Sequence, residues 1–367
     1  MVIRFQKSFY ESITQTMKED SMDGRTSIHP DIYRSILDIR QTETAIKELK
    51  DFFQVNLSSE LNLARVTAPI LVESGTGIND DLNGVERPLN FSANALEGAS
   101  VEVVQSLAKW KRLACARLEC SPGEGIYTDM NAIRPDEELD NLHSLYVDQW
   151  DWEKVILPEE RTLDHLKEAV HSIFGVIRRT ETWLALRYPE LKPILPSKIT
   201  FIHASDLAAR WPEKSPRERE NCVTRDHGAV FIIGIGANLQ DGKPHDGRAP
   251  DYDDWTTPNG TDLGLNGDIL VHHPVLNTAF ELSSMGIRVN PASLKHQLSL
   301  AGAQHRSELY FHRQLLAGEL PQTMGGGIGQ SRLCMFLLKK AHIGEIQAGV
   351  WPTKMRSACR KQGIELL

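Results

Sequence analysis

Apolar residues return at helical spacing over several stretches of this chain. From Asp31 the positions Ile32, Ile36, Ile39, Ile46, Leu49, Phe52 and Phe53 predict an amphipathic helix opening at Pro30-Asp31. The cleanest pattern runs from about Thr162 to Leu186, through Leu163, Leu166, Val170, Ile173, Phe174, Ile177 and Leu184. Residues 101–118 read as another helix, bearing Lys109, Lys111 and Arg112, and further helices are expected over about 291–301, 304–317 and 331–341. Short β-type runs predict strands at 65–72, 125–134, 145–155, 198–203, 229–235, 268–273, 278–285 and 346–351. Pro69 cannot donate to a ladder, so the first of these belongs at a sheet edge or a subunit contact. Gly325-Gly326-Gly327-Ile328-Gly329 reads as a turn feeding the helix that starts at Ser331, either a plain tight turn or one whose missing Cβ atoms let the backbone pass close to a flat or anionic ligand. The elements are interspersed without strict βαβ alternation, which predicts an α+β fold whose mostly antiparallel sheet is flanked by helices. One domain over 31–352 is expected, between an N-terminal extension (1–30) and a C-terminal tail (353–367).

Composition narrows the function classes. A chain of 367 residues with 41% hydrophobic and 25% charged content is an ordinary globular protein with room for a large core. A net charge of −8 argues against a broad nucleic-acid or anionic-membrane surface. No apolar run approaches the roughly 20 residues of a membrane span. The five cysteines are scattered and never spaced Cys-x-x-Cys, which fits a reducing compartment with neither a disulfide frame nor a structural zinc. Acids among the first residues count against a mitochondrial presequence, leaving the cytoplasm as the expected location.

Several groupings carry chemistry. A helix start behind the glycines offers free N–H groups and a positive dipole end, and Arg332 adds a planar cation able to stack on a base or pair with phosphate. In Tyr146–Glu153 the strand period puts Val147, Gln149, Asp151 and Glu153 on one face, solvated or lining a cleft, and Trp150 and Trp152 on the core side. Arg134, at the end of the preceding strand, either clamps a phosphate or caps a surface loop. Asp268 and Glu281 are two surface acids or a pair for a hard ion such as Mg²⁺ carrying nucleotide phosphates. The segment 240–267 is too long for an ordinary connection, as lids and binding loops are, and its Arg248–Trp255 stretch sets acids beside aromatics. His245, His272 and His273 lack metal-ligand spacing and read as structural.

Taken in order, these pieces resemble the three signature motifs of class II aminoacyl-tRNA synthetases: the first helix with Arg65–Leu71, then Arg134-Pro-Asp-Glu137 through His143 to Val147, then the glycine segment with Arg332. In the second motif an aromatic usually stands where this chain has Val147, and an extra proline lengthens the Arg-x-Glu spacing. The chain is more closely similar to ammonia-dependent asparagine synthetases of the A type, from about Asp31 to Trp351. The strings Ser106–Arg112, Tyr146–Glu153, Arg248–Trp255, Gly264–Leu270, Phe280–Arg288 and Pro321–Arg332 carry that likeness.

The resemblance implies a class II synthetase-like catalytic domain that amidates L-aspartate with ammonia, using ATP and Mg²⁺, by way of β-aspartyl-AMP. Its implied catalytic residues are Asp80, Arg134, Asp253 and Arg332, with Asp80 the first candidate to take a proton from ammonium and Asp253 the second. Lys111, Gln149, Asp151, Ser284 and Arg288 bind aspartate by the same likeness. Arg134, His143, Val147, Gly327, Gly329 and Arg332 bind ATP, and Asp268 and Glu281 the metal. A homodimer without nucleic-acid or membrane partners is expected. An aspartyl- or asparaginyl-tRNA synthetase would need a further 80–100 or so residues for an anticodon barrel and a basic face. Glutamine-dependent synthesis with an N-terminal nucleophile needs a cysteine at position 2, where Val2 stands. Retention of Arg134, Glu281, Arg288 and Arg332 argues against a binding module that has lost catalysis.

Overall fold

The computed structural model describes residues 33–79, 86–260 and 262–367. The chain order is α1 (Ile39–Leu61), β1 (Leu63–Arg65), β2 (Leu71–Glu73), β3 (Asn90–Ser92), β4 (Ser100–Val103), α2 (Ala108–Arg117), β5 (Gly125–Ile133), β6 (Tyr146–Val155) and α3 (Leu163–Arg187). There follow β7 (Thr200–His203), α4 (Ala204–Arg210), α5 (Pro216–His227), β8 (Ala229–Ile233), β9 (Asn266–His273), β10 (Thr278–Ile287), α6 (Pro291–Leu300), α7 (Tyr310–Leu316), β11 (Thr323–Gly329), α8 (Gln330–Leu337) and α9 (Thr353–Lys361).

One eight-stranded sheet, ordered β1-β5-β6-β11-β10-β9-β8-β7, forms the frame. Only its outermost pairs, β1/β5 and β7/β8, run parallel, so the sheet is mostly antiparallel, as the mixed element order predicts. A small sheet, β2-β4-β3, stands apart. One face of the large sheet is buried under α1, α3 and α8, where Phe53, Trp150, Trp152, Ile173, Ile177 and Leu333 share the core. Phe53 meets Trp150 at 4.5 Å, and α1 and α3 are joined by stacked Phe52 and Trp183 at 4.6 Å. The other face holds the cleft described below.

Several elements differ from the sequence reading. The first helix begins at Ile39, where Asp38 accepts from the Gln41 N–H and Gln41 answers in a capping box; the Pro30-Asp31 signal lies outside the described residues. The strand expected over 65–72 is two strands in two sheets, broken around Pro69. The helix expected from 101 starts at Ala108, because Val101 and Val103 face inward as part of β4. The 346–351 run is not a strand: Trp351 turns back onto His342, ring edge to ring face at 4.8 Å. The tail contributes α9, whose Cys359 joins the main core. The apolar pattern missed α5. Its start was readable in Ser215-Pro216-x-Glu218, a capping box with proline in the first turn.

The largest difference concerns the glycines. Residues 323–329 are not a turn but β11, a central strand between β6 and β10. None of Gly325, Gly326, Gly327 and Gly329 has positive φ.

Candidate active site

β6 and β11 lie antiparallel with Gln149 opposite Gly329, Asp151 opposite Gly327 and Glu153 opposite Gly325. On the far side of β11, Ser284 and Gly286 of β10 face Gly327 and Gly325. Partners share a face, so the middle strand of this trio is bare exactly where its neighbours project polar groups. A Cβ on Gly327 would stand 2.2 Å from Gln149 Oε1, and one on Gly325 would stand 2.1 Å from Glu153 Oε2 and 2.6 Å from the Trp152 carbonyl oxygen. Close approach, not left-handed backbone, is therefore what requires glycine here. Gly325→Ala drives a methyl group into a buried carboxylate and a backbone oxygen, and should cost about 1–3 kcal/mol of stability by urea unfolding.

Above this floor opens a cleft of about 270 Å³. It is lined by all the sequence-predicted site residues except two. Asp80 lies outside the described residues. Asp268 stands behind the wall, joined to it through Arg248.

One end of the cleft is a buried ionic platform. Lys111, fully buried on α2, donates to the Asp151 carboxylate, to the Trp152 carbonyl at 2.8 Å and to that of Gly326 at 3.3 Å. Arg288, just past β10, grips Glu153 through Nε at 3.0 Å and Nη2 at 2.8 Å, and reaches Asp253 with its other nitrogen. Arg248 donates to Ser284 Oγ at 2.5 Å and to Asp268 at 2.6 Å. Burial raises the Asp151 carboxyl above its ordinary value, against the pull of Lys111. Glu153 is held low, because Arg288 and Lys111 outweigh its burial. Burial also raises Asp268; Arg248 draws it back, and the Glu281 carboxylate adds to the rise. These fixed charges of both signs suit a small ligand carrying carboxylate and ammonium groups. Sequence reasoning passed over Arg248 and Glu153, though Glu153 shares the strand face of Gln149 and Asp151.

The other end is shaped for a polyanion and a flat ring. Arg134 follows β5, its Nη1 3.5 Å from Glu137 and its Nε buried without a partner. Arg332 sits in the first turn of α8, donating to the Glu281 carbonyl oxygen at 3.2 Å and lying 5.8 Å from the centre of the Phe280 ring. Its helix has no cap of its own at Gly329; Asp148 of β6 supplies one, accepting from the Ser331 N–H at 2.9 Å and Oγ at 2.8 Å. His143 approaches Arg332 at 3.2 Å and Asp140 at 2.9 Å. Burial pushes the Asp140 carboxyl up, but the His143 ring and the N–H groups of Leu142 and His143 outweigh it and hold it at about 2.

Among the described residues no group of three or more His, Cys, Asp or Glu side chains is placed to hold a metal ion. Asp268 and Glu281, on paired strands with a bulge after Glu281, offer two carboxylates. Asp268 already takes Arg248 at 2.6 Å and Glu281 lies 3.6 Å from Arg332, so a Mg²⁺ there would share these carboxylates with the two arginines and be completed by phosphate oxygens and water rather than by a protein cage.

A family model described as aspartate–ammonia ligase matches residues 40–363. An aspartate–ammonia ligase of Parabacteroides distasonis is 58% identical over 342 residues, covering 93% of this chain and 99% of that protein. One of Clostridium perfringens is 54% identical over 338 residues, covering 92% and 98%. Among solved structures, asparaginyl-tRNA synthetase of Pyrococcus horikoshii complexed with asparaginyl-adenylate aligns with TM-score 0.63 at 18% identity, covering 86% of this chain and 71% of that one. Aspartyl-tRNA synthetase of Entamoeba histolytica aligns with TM-score 0.59 at 13% identity, covering 92% and 66%. The fold is thus that of class II synthetases, and by family match and by identity along nearly its whole length the chain is a member of the aspartate–ammonia ligase family of enzymes.

Proposed function

We propose that this ligase makes L-asparagine from L-aspartate, ammonia and ATP in two steps in one cleft. A β-carboxylate oxygen of aspartate attacks the α-phosphorus of ATP while the bond from that phosphorus to pyrophosphate breaks, giving β-aspartyl-AMP. Ammonia then attacks the β-carbonyl carbon, AMP departs, and the surplus proton passes to a carboxylate. The observation that carries this reading is the bare β11 floor between an ionic platform suited to a zwitterion and a cationic end suited to phosphates.

In the first step two anions meet, so cations aimed at the phosphorus supply much of the acceleration. Arg134 takes the α-phosphate, and Arg332 lies against adenine with Val147, Gly327 and Gly329 shaping the slot. His143 borders the phosphate side. Lys111 and Arg288 hold the aspartate carboxylates, while Gln149, Asp151 and Ser284 satisfy its remaining polar groups. Asp268 and Glu281 would hold Mg²⁺, which when bound would supply charge neutralisation at the phosphates. Asp80 captures ammonium and accepts its proton, with Asp253 the second candidate. The protein works in the cytoplasm as a homodimer; the exposed Ile70, Leu71, Leu89 and Phe91 around the small sheet support a subunit contact.

The test is product formation from ATP, Mg²⁺ and L-aspartate with and without ammonium. AMP, pyrophosphate and asparagine, identified by mass and dependent on ammonium, are expected. Aspartate-dependent pyrophosphate exchange with no ammonium-dependent product would sink the amidation step, and no aspartate-dependent turnover would sink the whole reading.

A further inference from the structure

Asp140 has no assigned part in the proposed reaction, yet three hydrogen bonds converge on its Oδ1: from the Leu142 N–H at 2.7 Å, the His143 N–H at 2.8 Å and His143 Nδ1 at 2.9 Å. On the other side of the same imidazole, Nε2 faces Arg332 Nη2 at 3.2 Å. An ionised carboxylate only accepts, and a guanidinium only donates. Set between them, the ring satisfies both contacts in one state alone: neutral, with its proton on Nδ1 and a lone pair on Nε2. A protonated ring would aim an N–H at a guanidinium. Arg332 is then fixed at both ends of its fork, Nη2 by His143 and Nη1 by the Glu281 carbonyl oxygen at 3.2 Å.

The loop is anchored independently of this relay. Asn141 donates to the Ala341 carbonyl at 3.1 Å and its own carbonyl accepts from the Ile343 N–H at 2.8 Å, while Ser144 pairs with Gln347 at 2.6 Å. Loss of the Asp140 carboxylate therefore leaves the loop tied down while freeing the ring.

We infer that Asp140 is a positioning residue of the nucleotide end: through His143 it sets the plane of the Arg332 guanidinium before ATP arrives. The resting role of His143 is to accept from Arg332, not to offer a cation to phosphate. This rests on the ATP reading above and adds to it a specific three-residue relay.

Two measurements test it. In long-range ¹H–¹⁵N spectra of the histidine rings at neutral pH, with His143 assigned by H143Q, the wild-type ring should show the Nδ1–H tautomer, and D140A should turn it to a mixture. A wild-type ring that is Nε2–H or doubly protonated overturns the inference, whether or not ATP binds. In steady-state assays D140A should raise the KM for ATP about tenfold, the scale of one lost charge-assisted hydrogen bond, and leave the KM for aspartate within twofold. D140N, which keeps an acceptor oxygen for all three N–H groups, should recover most of the loss. In an H143A background, D140A should cost nothing further. A further tenfold loss there, or an equal rise in the aspartate KM, would mean that Asp140 serves only the loop, and overturns the inference. Absence of ATP binding to the wild-type protein by calorimetry would instead count against the proposed function, leaving the ring spectra to decide the relay.

Discussion

Glu153→Gln should lower the unfolding free energy by about 3–5 kcal/mol, the usual cost of removing one partner from a buried ion pair. Glu153 has no exposed surface, takes two bonds from Arg288, and stands 3.7 Å from Lys111 Nζ. Glutamine keeps the volume but leaves two buried cations facing one carboxylate fewer. The pH dependence identifies the cause. The folded carboxyl titrates below its ordinary value, because Arg288 and Lys111 outweigh the rise from burial. The unfolded group titrates near about 4.3. Its stabilisation is therefore complete above that value and is lost as the pH falls through the lower, folded one. The gap between wild type and variant, measured by urea unfolding, should stay level from about pH 5 to 8 and narrow below about pH 4. A loss under about 1 kcal/mol at neutral pH would show that the platform is far better hydrated than its burial implies. Activity should fall as well, because Arg288 loses the carboxylate that orients it for aspartate.

What could be read from residues alone follows from how local each signal is. The α3 pattern has an apolar stripe long enough to carry the interior Gly175 and a Thr162 cap, and the observed helix starts one residue after that cap. The alternation in β6 separated Trp150 and Trp152 from Gln149 and Asp151 correctly, because a strand period needs no knowledge of its neighbours. The glycine segment is the opposite case. Glycine weakens a strand on its own, so local preference argues for a turn. Pairing with β6 on one side and β10 on the other decides otherwise, and those partners lie some 40 to 180 residues away in the chain. Arg248 and Asp140 were passed over for a related reason. Each matters through what it touches: Asp268 and Ser284 in one case, His143 and thence Arg332 in the other. The likeness to a known family supplied the proposed residue roles, which no spacing could have supplied. It too says nothing of which arginine faces which acid.

Arg134→Ala should lower kcat/KM for ATP by about 10²–10³, the usual cost of deleting one preorganised donor to developing charge, while stability hardly moves. The two halves of that expectation have separate grounds. Arg134 meets Glu137 at 3.5 Å with both side chains partly exposed, a pair worth at most about 1 kcal/mol. Its Nε is buried without a partner at the cleft wall, so part of the guanidinium is desolvated with nothing in the fold to repay it. A ligand oxygen would repay it. Arg134→Lys restores the charge but not the planar fork, so it should fall between wild type and alanine. The loss should appear in single-turnover formation of pyrophosphate, before ammonia is involved, and should persist at saturating ammonium. If single-turnover rates for Arg134→Ala stay within twofold of wild type, the α-phosphate is held elsewhere. Arg248, which lines the same cleft from the platform end, would then be the next to replace.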